Sequence, residues 1–226
     1  MNWQDKGYLI SHNKYNENSS IAEFYTENYG KTSGIIFGSS SKKIKNYLLI
    51  GNKFHINYNS KNETRVGNFK IEIEKINTPY FMDNEKKLSC IIYAMNLIKL
   101  LTVENQKNKN IYDQLIDFFK FLTDDIWIKK FIYWELEILK NIGYDINFED
   151  YVSTKIINGS EVYISNSSFN KKIVPNFLIK KNSLNVKKDE LLLGLNLVGD
   201  YLDKTVLKPN NINFPISRKK FVNLVI

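Results

Sequence analysis

The chain is poor in residues that make covalent or metal cross-links. Its 226 residues include one cysteine, Cys90, and two histidines, His12 and His55. A single thiol excludes internal disulfides and any multi-cysteine zinc site, and neither histidine has a partner at ligand spacing. A reducing, cytoplasmic setting is the expectation. With 4 prolines, and 43% hydrophobic against 25% charged residues, long disordered stretches are not expected. No apolar run approaches the roughly 18 residues a membrane span needs. The opening MNWQDKGYLISHNKY lacks a basic segment followed by an apolar one, so a soluble, unexported protein without membrane contact is expected.

What is present is lysine, unevenly placed. The formal net charge is +8, with 11 basic against 7 acidic side chains in residues 1–80, 9 against 12 in 81–150, and 12 against 5 in 151–226. Two basic ends around an acidic middle suit a polyanionic partner at one or both ends, and equally a solvated lysine-rich surface.

Residues 1–80 read as five short strands, GYLIS, SIAEFYT, TSGIIFG, KFHINY and GNFKIEIEKI, separated by polar clusters. In FKIEIEKI, Phe69, Ile71 and Ile73 alternate with Lys70, Glu72 and Glu74. Five strands with glycine corners predict a small closed barrel of the OB type, with an SH3-like barrel as the alternative. Beyond Thr78-Pro79 the period becomes helical. Leu88, Ile91, Ile92, Met95, Ile98 and Leu101 define one helix, capped by Asp83 or Asn84. A second spans about 110–122, and a third carries Trp127 and Trp134 on one face and stops at Gly143. Residues 151–185 form a loop-rich insert, and helical period returns in NVKKDELLLGLNLVGDYLDKTVL and after Pro215. The expected architecture is α+β multidomain. It comprises an OB-fold domain, 1–80, and a helical domain, 81–226, whose helices at 81–150 and 186–226 flank the insert.

Catalytic patterns are weak. In TENYGKTSGIIFGSSSKKIK, Gly34 and Gly38 enclose three apolar residues and Ser39 follows, which fails the spacing of a phosphate-binding P-loop. Asp124-Asp125 and Glu149-Asp150 stand at helix starts or turns, where acidic residues act as caps. Cys90 sits on an apolar helical face and reads as core. No enzyme is expected. A metal-dependent nuclease using Asp124 or Asp125 is one alternative, and an adaptor acting through protein contacts alone is the other.

Nucleic-acid binding has a physical basis. Lys42, Lys43 and Lys45 fall on a flexible connection after the third strand, with Lys31 at the preceding turn and Arg65 in another. Loop lysines neutralise phosphates, and Tyr29 or Tyr47 offers stacking faces, whereas Phe37, inside GIIFG, is assigned to the core. Arg218-Lys219-Lys220 suits a helix C-terminus, a DNA contact or an acidic peptide.

The segments NWQDKGYLISHNKYNENSSIAEFYTENYGKTSGIIFGSSSKK, WELEILKNIGYDINFEDYVSTK and ELLLGLNLVGDYLDKTVLKP resemble, in order and spacing, the RecO family of bacterial recombination mediators. The resemblance implies an N-terminal OB-fold and a helical domain with a small inserted module. It implies a non-enzymatic, cytoplasmic, nucleoid-associated protein of the RecF repair pathway that binds single- and double-stranded DNA and anneals complementary strands. Its partners would be RecR and the acidic tail of single-strand-binding protein, with RecA loaded indirectly. The family's basic turn and loop fall on Lys31, Lys42 and Lys43. Some members hold the module with zinc through paired C-x-x-C motifs. Here the opening is Tyr151-Val-Ser-Thr154 and the insert has no cysteine, so no metal or other cofactor is expected. The module would rest on Tyr151, Val162, Ile164, Val174 and Phe177.

Overall fold

The computed structural model describes residues 1–61, 66–157, 160–166, 171–180 and 186–225. The chain falls into two compact units, one of Met1–Phe119 with Pro215–Leu224 and one built from Lys120–Phe214.

The first unit opens with β1 (Asn2–Lys14), β2 (Ser19–Thr26) and β3 (Gly30–Phe37), then a single helical turn α1 (Lys42–Lys45), β4 (Lys53–Asn59) and β5 (Gly67–Lys75). The strands close in the order β1-β2-β3-β5-β4. All pairs are antiparallel except β3 with β5. Alternation sends Leu9, Ala22, Phe24, Ile36, Phe54 and Ile56 inward, each at most 2% exposed. Trp3 stands between Tyr29 and Tyr58, stacked at 4.3 and 4.8 Å between ring centres. Closure leaves the barrel no open sheet edge.

The unit continues with α2 (Glu85–Leu101), α3 (Lys109–Phe121) and the C-terminal α7 (Ile216–Val225). Asn84 caps α2 by accepting from Lys87 N at 3.0 Å. Helices α2 and α3 cover one outer flank of the barrel, and α7 packs on α2 through Phe221 and Tyr93. Tyr8 stacks on Phe119 at 5.5 Å, and Tyr25 Oη donates to the Asn108 carbonyl at 3.3 Å. Gly30 begins β3 at φ +65°, and a Cβ there would lie 2.0 Å from the Gln106 carbonyl oxygen. Only glycine permits both that backbone and that approach. Cys90 is fully buried in α2.

The second unit holds α4 (Trp127–Asn141), a three-stranded sheet of β6 (Val152–Ile157), β7 (Ser160–Ser165) and β8 (Ile173–Val174), then α5 (Asn176–Ile179) and α6 (Lys188–Tyr201). Trp127 and Trp134 are both core, and Gly143 ends α4 at φ +93°. Helix α6 runs into a wider π-type segment, Leu202–Leu207. Val174 and Phe177 anchor the inserted module. Phe177 is 1% exposed, its carbonyl accepts from Tyr133 Oη, and a Cβ on Gly194 would fall 2.7 Å from its ring. Val162 and Ile164 are half-buried and Tyr151 is exposed, so the module holds by its later residues more than by its first. Among the described residues, no helix is long and apolar enough to cross a membrane.

Candidate nucleic-acid interface

One end of the barrel gathers the turn after β1, the end of β3 and α1. Four serines and an asparagine build it. Ser39 N donates to the Asn18 carbonyl at 3.1 Å, Ser40 Oγ donates to Asn18 Oδ1 at 2.6 Å, and the hydroxyls of Ser20 and Ser39 share a buried 2.8 Å hydrogen bond. Ser41 then caps α1, accepting from Ile44 N at 3.4 Å. The segment expected to be a flexible connection is therefore a helical turn fastened to the barrel. Ile44 packs against the barrel core and Leu48 lies within it. That leaves Lys42, Lys43 and Lys45 exposed.

These three ammonium groups make no ion pair among the described residues. Elsewhere in the barrel unit, by contrast, Lys6 and Lys53 meet Glu74 at 3.4 and 3.2 Å, and Lys99 pairs with Glu23. Beside α1 lies a cleft of about 320 Å³ whose lining includes His12, Lys14, Glu17, Ser39 and Lys45. Burial pushes the His12 imidazole below its usual pKa, so it is neutral at pH 7. The cleft's positive charge comes from its two lysines.

Lys31 departs from expectation. It lies within β3 rather than on a turn, and its Nζ donates to the Lys99 carbonyl at 2.9 Å. The cause is strand parity. Outward residues at this end of β3 face the covering helices, and Glu104 bridges to Lys31. Arg65, the remaining expected contact, lies outside the described residues.

The aromatics also sort differently. Tyr29 belongs to the Trp3 stack, and Tyr47 leans on Phe54 at 6.0 Å. Phe37, expected in the core, is 63% exposed. Its neighbour Ile36 points inward, so alternation turns Phe37 out, and the same alternation was readable in GIIFG. Tyr15 and Lys14, at the end of β1, were missed because the strand extends beyond its apolar stretch. Of the C-terminal basic cluster, Arg218 is buried, with Nε donating to Tyr93 Oη at 3.1 Å, while Lys219 and Lys220 are exposed.

Acidic groups do not converge among the described residues. Asp124 is paired with Lys130, and among the described residues no three His, Cys, Asp or Glu side chains gather where a metal could be held. Tyr151 to Thr154, where zinc-binding members carry cysteines, offers no thiol, imidazole or carboxylate, so these residues do not fit zinc.

A barrel closed as β1-β2-β3-β5-β4 with a helix between its third and fourth strands is an OB-fold, a class whose surfaces hold oligonucleotides and oligosaccharides. The family model described as Recombination protein O N terminal matches residues 1–75, and that described as Recombination protein O C terminal matches 83–173. The chain is 20% identical to the DNA repair protein RecO of Rhodospirillum centenum, over 99% of this chain and 94% of that protein. It is 26% identical to the RecO of Rickettsia akari over 100% and 99%. To the RecO of Rickettsia felis it is 31% identical over 65% and 62%. The chain belongs to the RecO family of DNA repair and recombination proteins.

Proposed function

We propose that the chain is a recombination mediator of the RecF pathway whose OB-fold domain, 1–80, binds single- and double-stranded DNA and pairs complementary strands. The helical domain, 81–226, then serves contacts with RecR and with the acidic tail of single-strand-binding protein, so that RecA is loaded where that protein yields. The work is done in the cytoplasm, at the nucleoid, by binding alone. The observation that carries this reading is the display of Lys42, Lys43 and Lys45, exposed and without ion pairs among the described residues, on the barrel of a RecO family member.

The physics is counterion release and charge neutralisation. Phosphates bound by lysines shed condensed cations, and two neutralised strands approach with less repulsion. Lys31 is assigned to the barrel's packing and Lys14 joins the basic set. Annealing of complementary labelled strands, with and without single-strand-binding protein, tests the reading. Accelerated pairing on coated strands supports it. Strand fragments accumulating with magnesium would replace it with the nuclease, and partner binding without DNA binding would leave an adaptor.

A further inference from the structure

We infer that Tyr15 and Phe37 form a stacking platform for unpaired bases, so that the basic end of the barrel discriminates single strands from duplex. This rests on the DNA-binding reading above and names the part of the ligand that the lysines do not touch.

The strand register places the two rings. Phe37 is paired with Ser19, and Tyr15, one residue past the end of β1, donates its N–H to the Ser19 carbonyl at 2.9 Å, so Tyr15 and Phe37 flank Ser19 from its two sides. Ser19 is 4% exposed, whereas Tyr15 is 59% and Phe37 63% exposed. A small buried residue thus lies between two exposed aromatic side chains whose backbones stand about two strand spacings apart, roughly 9.5 Å. Each exposed ring offers a π face on which an unpaired base can stack. The next rung extends the platform with Ile21, 37% exposed, beside half-buried Ile35.

The occupant follows from what surrounds this apolar strip. Lys14 precedes Tyr15, and Lys42, Lys43 and Lys45 follow Phe37 across the four residues Gly38 to Ser41, which Ser39 and Ser40 tie to Asn18. Exposed rings bordered by cations without partners among the described residues match a ligand with alternating π faces and phosphates. Duplex DNA hides its base faces, so only an unpaired strand satisfies both halves of the surface.

The test compares oligothymidylate with an abasic strand of the same length and phosphate number, by fluorescence anisotropy on the full chain. The expected result is about tenfold tighter binding of the thymidine strand. Y15A/F37A removes that preference while duplex affinity and salt slope stay unchanged, and F37W restores it with quenching of the added indole. Equal binding of both strands by the unaltered protein overturns the inference, as does a preference that survives Y15A/F37A. Lysine-to-glutamate changes at 42 and 43 report separately on the phosphate contact. If they leave affinity intact while the base preference holds, the lysine assignment fails and the platform stands.

Discussion

Lys31 Nζ donates to the main-chain carbonyl of Lys99 at 2.9 Å, while Lys99 Nζ in turn donates to Ser11 Oγ at 3.0 Å and pairs with Glu23. The two lysines interlock strand and helix inside the barrel unit. Burial is the main cause lowering the Lys31 pKa, with Lys99 acting in the same direction against Glu23 and Glu104. K31M is expected to lower stability by about 1–2 kcal/mol through loss of a charged hydrogen bond. The salt slope of DNA binding stays unchanged. Urea melts alongside anisotropy titrations check both halves, and a shallower salt slope in K31M would return Lys31 to the DNA path.

Three buried tyrosines set the alkaline limit of the barrel unit. Burial raises the phenols of Tyr8, Tyr25 and Tyr112 well above 10, with Glu74 adding to the effect at Tyr8. A group raised in the folded state contributes stability below its unfolded pKa and loses it as pH climbs. Stability should therefore fall from about pH 10 upward, where unfolded tyrosines ionise. Lys31, with its lowered pKa, acts in the opposite direction below about pH 10.4 but is one group against three. Among the described residues Tyr112 Oη is buried without a hydrogen-bond partner. Y112F is expected to be neutral to about 1 kcal/mol stabilising at pH 8, and to flatten the alkaline loss in urea melts from pH 8 to 11.

How much of this was legible in the sequence depends on the range of the interaction involved. The alternation in FKIEIEKI and the helical spacing around Ile91 and Leu115 are local, and both appear as β5, α2 and α3. Closure of β3 onto β5 brings Gly34 to Gly67 across the intervening strand, and no local pattern encodes it. Lys31 was misplaced for the same reason, since the helices that cover it lie about seventy residues away. Phe37 was different. Its exposure follows from strand parity alone, and reading GIIFG as uniformly apolar hid that. The helical turn α1 was also signalled locally, by Ser41 ahead of KKIK.

Gly67 shows what that closure demands. A Cβ there would fall 2.3 Å from the Tyr58 ring, whose hydroxyl accepts from Gly67 N at 3.2 Å. Tyr58 is also one wall of the Trp3 stack. G67A must displace Tyr58, breaking the hydrogen bond and opening the stack, at a cost of about 1–3 kcal/mol. The expected readout is a lower melting temperature with a changed Trp3 emission. An unchanged melting temperature would mean that Tyr58 has an alternative seat.

The α1 lysines separate charge from structure most cleanly. Lys42, Lys43 and Lys45 are exposed and make no ion pair among the described residues, and within α1 it is Ile44 that packs against the core. K42E/K43E/K45E should therefore leave stability within about 0.5 kcal/mol of the original. If these three and Lys14 neutralise four phosphates, log K against log salt has a slope near −3 on single strands. Removing three of them brings it to about −0.7. Reversing the charge weakens binding at low salt and slows strand annealing in parallel. A triple variant that melts normally and keeps the steep slope would move the phosphate path elsewhere. The exposed Lys219 and Lys220 would be the next residues to reverse.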